Sequence, residues 1–378
     1  MSELEVEIAG ADALTPRQWD QWREMAAANP ALVSPYFRPE FTRVAASVSP
    51  RAAVAVLKRG GRVIGFFPHQ RRGGSIQPLA APFNDYHGVI AYPGEAPSLE
   101  ETARALNASR FNVSSWIGPA EGGQERQTVM AVLPEEGFDA WYAERRTAFG
   151  KFFKDKERAR RSLEAEHGPL RVEHGLRDPK LLDHLIGLKQ SQYRRSGRHD
   201  VFACGWTQRL LHRLMAWEGE GFGASLATLH AGDRLAAVEF SMHAGGHYHF
   251  WFPTYVPELA RCSPGILLSL DTMKLAAEEG YRTFDFGFTG EHYKKYFCNS
   301  ALTVREAVIA PPGLSRGLSG ALGGALGLAA QGRAQALQDS IRRRWTAIEA
   351  CEVTTAGQVR GAILAAGAAL NKLSERPA

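Results

Sequence analysis

The chain has 378 residues, a formal net charge of +5, and 44% hydrophobic and 22% charged residues. Those proportions exclude wholesale disorder, and the length suggests two or three domains, each able to bury an ordinary core. Cys204, Cys262, Cys298 and Cys351 show no C-x-x-C spacing, so neither a disulfide framework nor a cysteine-built zinc site is expected, and a reducing compartment fits.

The N-terminus carries Glu3, Glu5 and Glu7, where a signal peptide would place basic residues before an apolar run. The longest charge-free candidate for a membrane span, Gly317 to Gly332, is too short and too rich in glycine to cross one. A cytoplasmic protein is expected, peripheral at the inner membrane at most. From 311 to 378, eight basic residues outnumber four acidic ones, which accounts for nearly the whole charge excess. The body is close to neutral, and no DNA-binding surface is expected on it.

Composition divides the chain into residues 1–150, 151–310 and 311–378. The charge-rich run Lys151 to Arg161 marks the first boundary, and Pro311-Pro312-Gly313 introduces a tail rich in Ala, Gly and Leu that reads as helical. The first two regions contain a repeat. Leu57 to Phe67 lies without gaps on Leu229 to Glu239 at an offset of 172 residues, and each copy reads as a β-hairpin around a glycine turn. Phe67 in the first copy aligns with Glu239 in the second, so only the second carries a carboxylate there.

From residue 223 the pattern predicts strands at 224–230, 234–243 and 247–253, a helix at about 264–279, a strand at 282–287, a short helix at about 291–297 and a strand at 302–308. A three-residue turn, Ala244-Gly245-Gly246, would pair His243 with His247, Ser241 with His249 and Glu239 with Trp251. That register gathers one polar, histidine-rich face, readable as a solvated sheet surface or a substrate cleft. Two histidines and a glutamate on flat strands lack a ligand spacing, so no metal is expected. Ser263 reads as an N-cap, Pro264 as the first helical residue and Gly280 as the residue after the helix end. Free amides at that helix start, with Arg261 beside them, could hold a pyrophosphate.

The stretch Gly280 to Phe297 (GYRTFDFGFTGEHYKKYF), preceded by Ser263-Pro264-Gly265 and a long helix, resembles the signature of GNAT-fold acyltransferases of the CelD/BcsL and FemAB-like group. The resemblance implies an α/β (α+β) architecture of tandem GNAT-like domains, each a mixed, mostly antiparallel sheet flanked by helices, ending in a helical tail. It implies an N-acyltransferase using acetyl-CoA or another acyl-CoA on an amino sugar or lipid-linked saccharide, associated with bacterial exopolysaccharides such as cellulose or holdfast. FemAB-like relatives use aminoacyl-tRNA as donor. The chain departs from the common pyrophosphate loop, placing Pro264 and Ile266 at two positions where that loop has glycine or a small residue.

Transfer of an acyl group to an amine needs a neutral amine, a stabilised oxyanion and a proton for the leaving thiolate. The candidates are Glu239 as base, Tyr293 as acid, Lys294 as charge stabiliser and Asp285 to orient the acceptor or hold the loop. Arg261, Ser263 and Gly265 are the donor-binding candidates. Asp85, Tyr86 and His87, within Asn84-Asp85-Tyr86-His87-Gly88, could line the acceptor side, or simply form an Asx turn. His243, His249 and Trp251 belong to the polar face, and Arg158, with Lys154 and Arg161, could meet substrate phosphates or remain a solvated helix face. In the tail, Leu314, Leu318, Leu322 and Leu326 recur every fourth residue, and Arg342, Arg343 and Arg344 could touch a membrane surface or cyclic di-GMP.

Overall fold

A computed structural model describes residues 3–72, 74–196, 198–309 and 343–363. The first half holds β1 (Leu4–Ala9), α1 (Pro16–Ala28), α2 (Pro39–Ala46), β2 (Ala52–Arg59), β3 (Arg62–Arg72), β4 (Ser75–Pro78), β5 (His87–Gly88), α3 (Leu99–Ala105), β6 (Arg110–Ile117), β7 (Gln124–Val132) and α4 (Phe138–Ala148). The second holds α5 (Gly150–His167), β8 (Leu170–Leu176), α6 (Pro179–Ser196), α7 (Trp206–Met215), β9 (Phe222–Ala231), β10 (Arg234–Ala244), β11 (His247–Tyr255), α8 (Pro264–Glu278), β12 (Thr283–Phe288), α9 (Lys294–Phe297) and β13 (Ser300–Ile309). Residues 343–351 and 355–363 are helical. Local chemistry sets several starts: Thr15 with Gln18 and Ser98 with Glu101 form capping boxes that satisfy first-turn amides of α1 and α3.

The repeat persists in the pairing register. In β2–β3, Leu57 pairs with Gly65 and Lys58 with Val63, leaving Ile64 as the extra residue of a bulge. In β9–β10, Leu229 pairs with Ala237 and His230 with Leu235, leaving Ala236 extra at the equivalent position. Phe67 opposes Ala55 and Glu239 opposes Ala227, again equivalent places.

The strands form one sheet in the order β1-β2-β3-β4-β6-β13-β7-β12-β11-β10-β9-β8, with β5 beside β6. Its centre is an exchange: β7 of the first half pairs with β12, and β13 of the second half pairs with β6. The parallel pairs lie near this centre, β4–β6 and β5–β6 in the first half and β11–β12 in the second. The sheet therefore continues past residue 150, where only Phe149 separates α4 from α5. The architecture is the expected mixed, mostly antiparallel sheet flanked by helices, present in two related copies.

One apolar core runs along the face covered by α1, α2, α6 and α7 and joins Trp22 and Phe66 to Leu185, Phe240 and Trp251. On the opposite face, Leu270 and Met273 of α8 pack on Tyr248, Phe250, Phe284 and Phe286.

Three sequence expectations need correction. The β10–β11 turn has two residues, Gly245 and Gly246, both at positive φ (54° and 80°), so Ala244 pairs with His247, His243 with Tyr248 and Met242 with His249. A bulge at Trp251 then brings Phe240 opposite Phe252. No single histidine-rich face exists: Glu239, Ser241 and His243 share the α8 side with Tyr248 and Phe250, while His247 and His249 face the other way. Second, Ser263 adopts a left-handed conformation (φ 50°, ψ 45°) and does not cap α8 with its side chain, although Pro264 is the first helical residue and Gly280 follows the helix end at φ 97°. Third, Cys204 and Cys351 form a disulfide with Cα atoms 5.8 Å apart across 147 residues of sequence. Spacing rules read local pairs and carry no information about so distant a one. Leu314, Leu318, Leu322, Leu326 and Arg342 lie outside the described residues.

Candidate functional site

Three pairs join the parallel strands β11 and β12, His247–Thr283, Tyr248–Phe284 and His249–Asp285, and beyond them the strands separate. At that fork Asp285 is fully buried and makes two hydrogen bonds and one further ion-pair contact. Its Oδ1 accepts from the Gly287 amide at 2.7 Å, and its Oδ2 lies 3.2 Å from His249 Nδ1 and 3.3 Å from His247 Nε2. The other edge of His249 reaches the first half: Nε2 lies 3.1 Å from Asp85 Oδ2 and 3.4 Å from the Tyr36 hydroxyl. Tyr36 also donates to Asp85 Oδ2 at 3.5 Å.

The loop carrying Asp85 is built by its own side chains. Asn84 accepts from the Tyr86 amide at 3.0 Å and donates to Leu79 O at 3.0 Å, and Ser115 donates to the Asp85 carbonyl. The Asx turn foreseen as the plainer reading is therefore present, and it is what aims Asp85 at His249.

Burial alone would make His249 neutral, but the two flanking carboxylates prevail and raise it to about 9. Asp285 is held far below the usual carboxylate range, because the bonds from His249 and His247 outweigh its burial. Burial, with these acids nearby, pushes Tyr36 and Tyr86 well above ordinary phenols. At neutral pH the cluster is an imidazolium clamped between two carboxylates. Asp85 is 30% exposed, and both of its side-chain bonds fall on Oδ2, which leaves Oδ1 outside them.

A cavity of about 220 Å³ lies beside Asp85 and His87. Gln77, Asn112 and Ser114 add amide and hydroxyl groups, Phe288 adds an aromatic wall and Glu306 a carboxylate. His87 is buried, bonds Ser114 Oγ at 2.8 Å through Nε2, and leaves Nδ1 without a partner. Burial lowers it to about 3, so it is a neutral hydrogen-bonding ring.

Asp85, Tyr86, His87, His249 and Asp285 thus come together. Glu239 does not join them. It is fully buried on the opposite face beneath α8, where Ser269 donates to it at 3.3 Å, and burial raises it to about 8 despite the nearby Thr272 and Ser269 hydroxyls. His243 lies on that face too, bonded to the Tyr281 hydroxyl at 2.9 Å. Tyr293 packs edge-on to Phe286 and Phe297 on the same side, its phenol raised first by burial. Lys294 donates to Phe288 O and pairs with Glu291, both at 2.7 Å, and so fixes the loop after β12. Trp251 is a core residue against Tyr36, Phe83 and Phe240.

The expected donor anchor is largely occupied. Ser263 O takes the Ile266 and Leu267 amides, Ser263 Oγ accepts from Lys156 at 2.8 Å, and Arg261 pairs with Glu166. Gly265 sits against Tyr255, where an added Cβ would lie 3.5 Å from its ring. Arg158, with its side chain 76% exposed and paired to Asp155, lies on the solvated face of α5.

Sequence reading missed Tyr36, and it named His247 only as the cross-strand partner of His243. Tyr36 and His247 meet the site only through tertiary pairing. Lys189 continues the buried Leu182, Leu185, Ile186 face of α6, apart from the cluster. It is 8% exposed, and burial lowers it to about 8, with Glu291 and Arg198 nearby.

Residues 150–295 match the family model described as an acetyltransferase (GNAT) domain. The fold is therefore of GNAT type, and the protein is an enzyme, a GNAT N-acyltransferase. Solved structures similar to the chain include FemX (13% identity, TM-score 0.47, 79% of this chain and 95% of that one). A tandem GNAT protein from the clavulanic acid biosynthesis pathway is also similar (13%, 0.45, 81% and 98%), as is L-PGS from Bacillus licheniformis (11%, 0.41, 82% and 95%). Among curated protein sequences none matches. No helix among the described residues is long and apolar enough to cross a membrane.

Proposed function

We propose that the protein moves an acyl group from an acyl-CoA to the amine of an amino sugar, free or lipid-linked, during assembly of a bacterial surface polysaccharide such as holdfast. The observation that carries the acceptor half is the Asp85 carboxylate, clamped by His249 and Tyr36 at the mouth of a cavity lined by amide, imidazole and hydroxyl groups. A carboxylate held this way orients an ammonium and takes one proton from it, which frees the lone pair that attacks the thioester carbon, and the nitrogen sheds its second proton as the tetrahedral adduct collapses. The C–N bond forms, the C–S bond breaks, and the thiolate needs a proton. Tyr293, kept protonated by burial on the α8 side, is the donor we assign to it. The gap beyond the His249–Asp285 pair is where a thioester from one face would meet an amine from the other. The tie to surface polysaccharide rests on the family resemblance of the stretch 280–297.

The occupied amides at the start of α8 favour a second reading of the donor, an aminoacyl-tRNA in place of acyl-CoA. A role for cyclic di-GMP or a membrane surface at the basic tail is a further part of the proposal. Arg343 is engaged by Glu306 at 3.5 Å, which leaves Arg344 as the residue to examine. Thiol release from acetyl-CoA in the presence of glucosamine, beside a parallel assay with aminoacyl-tRNA, decides the donor. Release that depends on glucosamine supports the first reading, and activity only with the charged tRNA replaces it with the second.

A further inference from the structure

The cavity beside Asp85 has a wall from outside both halves of the repeat. Helix 343–351 presents Arg343, Thr346, Ala347 and Ala350 to it, a spacing of three, four and seven residues that defines one helix face. This helix is fastened at several points. Glu349 Oε2 accepts from Asn112 at 3.1 Å and Gln77 at 3.4 Å, and lies 3.7 Å from Arg110. Arg72 donates to the Ala350 carbonyl at 3.3 Å and Trp206 to the Cys351 carbonyl at 3.2 Å. The Cys204–Cys351 disulfide adds a covalent tie to the second half. Several of these anchors, Gln77, Asn112 and Ala350, themselves line the cavity.

We infer that helix 343–351 is part of the acceptor site and sets which acceptor fits, with the small side chains of Ala347 and Ala350 making room for one sugar ring and Thr346 supplying a hydroxyl at its edge. The inference rests on the acceptor reading given above. A cavity of about 220 Å³ is smaller than the roughly 300 Å³ and more of a drug-sized pocket, so it takes a single ring, and a longer saccharide must extend outward. Arg343 is paired with Glu306, which itself holds Arg126 at 3.2 Å. These arginines take up Glu306, so Asp85 is the lining carboxylate that meets the amine of a hydroxyl-rich acceptor.

The test compares the full chain with Ala347→Phe, which fills the space, and Thr346→Val, which keeps the volume and removes the hydroxyl. Initial rates are taken with acetyl-CoA, D-glucosamine and a glucosamine trisaccharide, and calorimetry measures acceptor binding independently of turnover. Expected for Ala347→Phe is a rise of at least tenfold in the acceptor KM and Kd, with the acetyl-CoA KM within twofold of wild type. Thr346→Val, which serves if the phenylalanine variant unfolds, should raise the same constants about threefold to fivefold. Wild-type turnover with unchanged acceptor constants in both variants overturns the role of the helix and leaves the proposed function standing. Wild-type protein that neither binds nor acylates any amino sugar overturns the acceptor reading, and the inference with it.

Discussion

Asp85 and Asp285 hold the two nitrogens of one imidazole, His249, at 3.1 and 3.2 Å. One carboxylate comes from a loop of the first half and the other from a strand of the second, so the link joins the repeats where the strands fork. Removing the imidazolium leaves the fully buried Asp285 with only the Gly287 amide and His247 as partners. His249→Gln should therefore cost about 3–5 kcal/mol of stability at pH 7, read by urea denaturation. The pH dependence carries a sign. His249 is raised from 6.5 to about 9, so its contribution is complete below about 6.5 and lost as pH rises through 9. Asp285 is depressed, so its contribution is present above its ordinary range and lost only in strong acid. Wild type should lose stability between pH 7 and 10, and the variant should show a flatter alkaline limb.

Glu239 gives a contrasting prediction. Its proton is held more tightly in the folded state, with a pKa of about 8 against 4.5. Its contribution is intact below about 4.5 and declines as pH rises toward 8, because the unfolded chain can ionise and the folded one cannot. Glu239→Gln should add on the order of 4 kcal/mol at pH 8 and almost nothing at pH 4. Since Glu239 lies across the sheet from Asp85, kcat/KM should stay within threefold of wild type. A hundredfold loss of activity would instead restore Glu239 to the chemistry.

The disulfide closes a separation of 147 residues. Cys204→Ser should lower stability by about 2–4 kcal/mol relative to the oxidised wild type, both measured without reductant. The loss should appear as faster hydrogen exchange in 343–351 before any change in β9 or β10. Uniform loss of protection across the chain would contradict this local role.

Tyr293→Phe keeps the ring contacts with Phe286 and Phe297 and removes only the proton to be given to sulfur. A fall in kcat of about 10²-fold, the low end for a lost general acid, with an unchanged acetyl-CoA KM and melting temperature, is the expected result. A change confined to KM would make Tyr293 a binding residue.

The sequence disclosed what is local or repeated. The 172-residue offset anticipated two hairpins that match down to the bulges at Ile64 and Ala236. The strand and helix pattern after Gly223 survives with shifts of a few residues at most. Glycine, proline and side-chain alternation act over a few residues, which is why these features were legible. The site is half legible: Asp85, His249 and Asp285 stand out as candidates, yet nothing in a linear reading joins a loop at 85 to strands at 249 and 285. The hairpin register failed for an identifiable reason. Sorting residues into a polar and an apolar face assumed one solvated side, whereas α8 buries Glu239, Tyr248 and Phe250 together while His249 packs against Tyr36 on the other. Both faces are covered, so polarity could not choose the turn.

The central claim is that Asp85, not Glu239, meets the acceptor amine. Steady-state acyl transfer by Asp85→Asn, with acetyl-CoA and glucosamine from pH 6 to 9, tests it most directly. The account predicts a drop in kcat/KM of at least about 10²-fold, with donor affinity preserved. Activity within threefold of wild type across that range would contradict it.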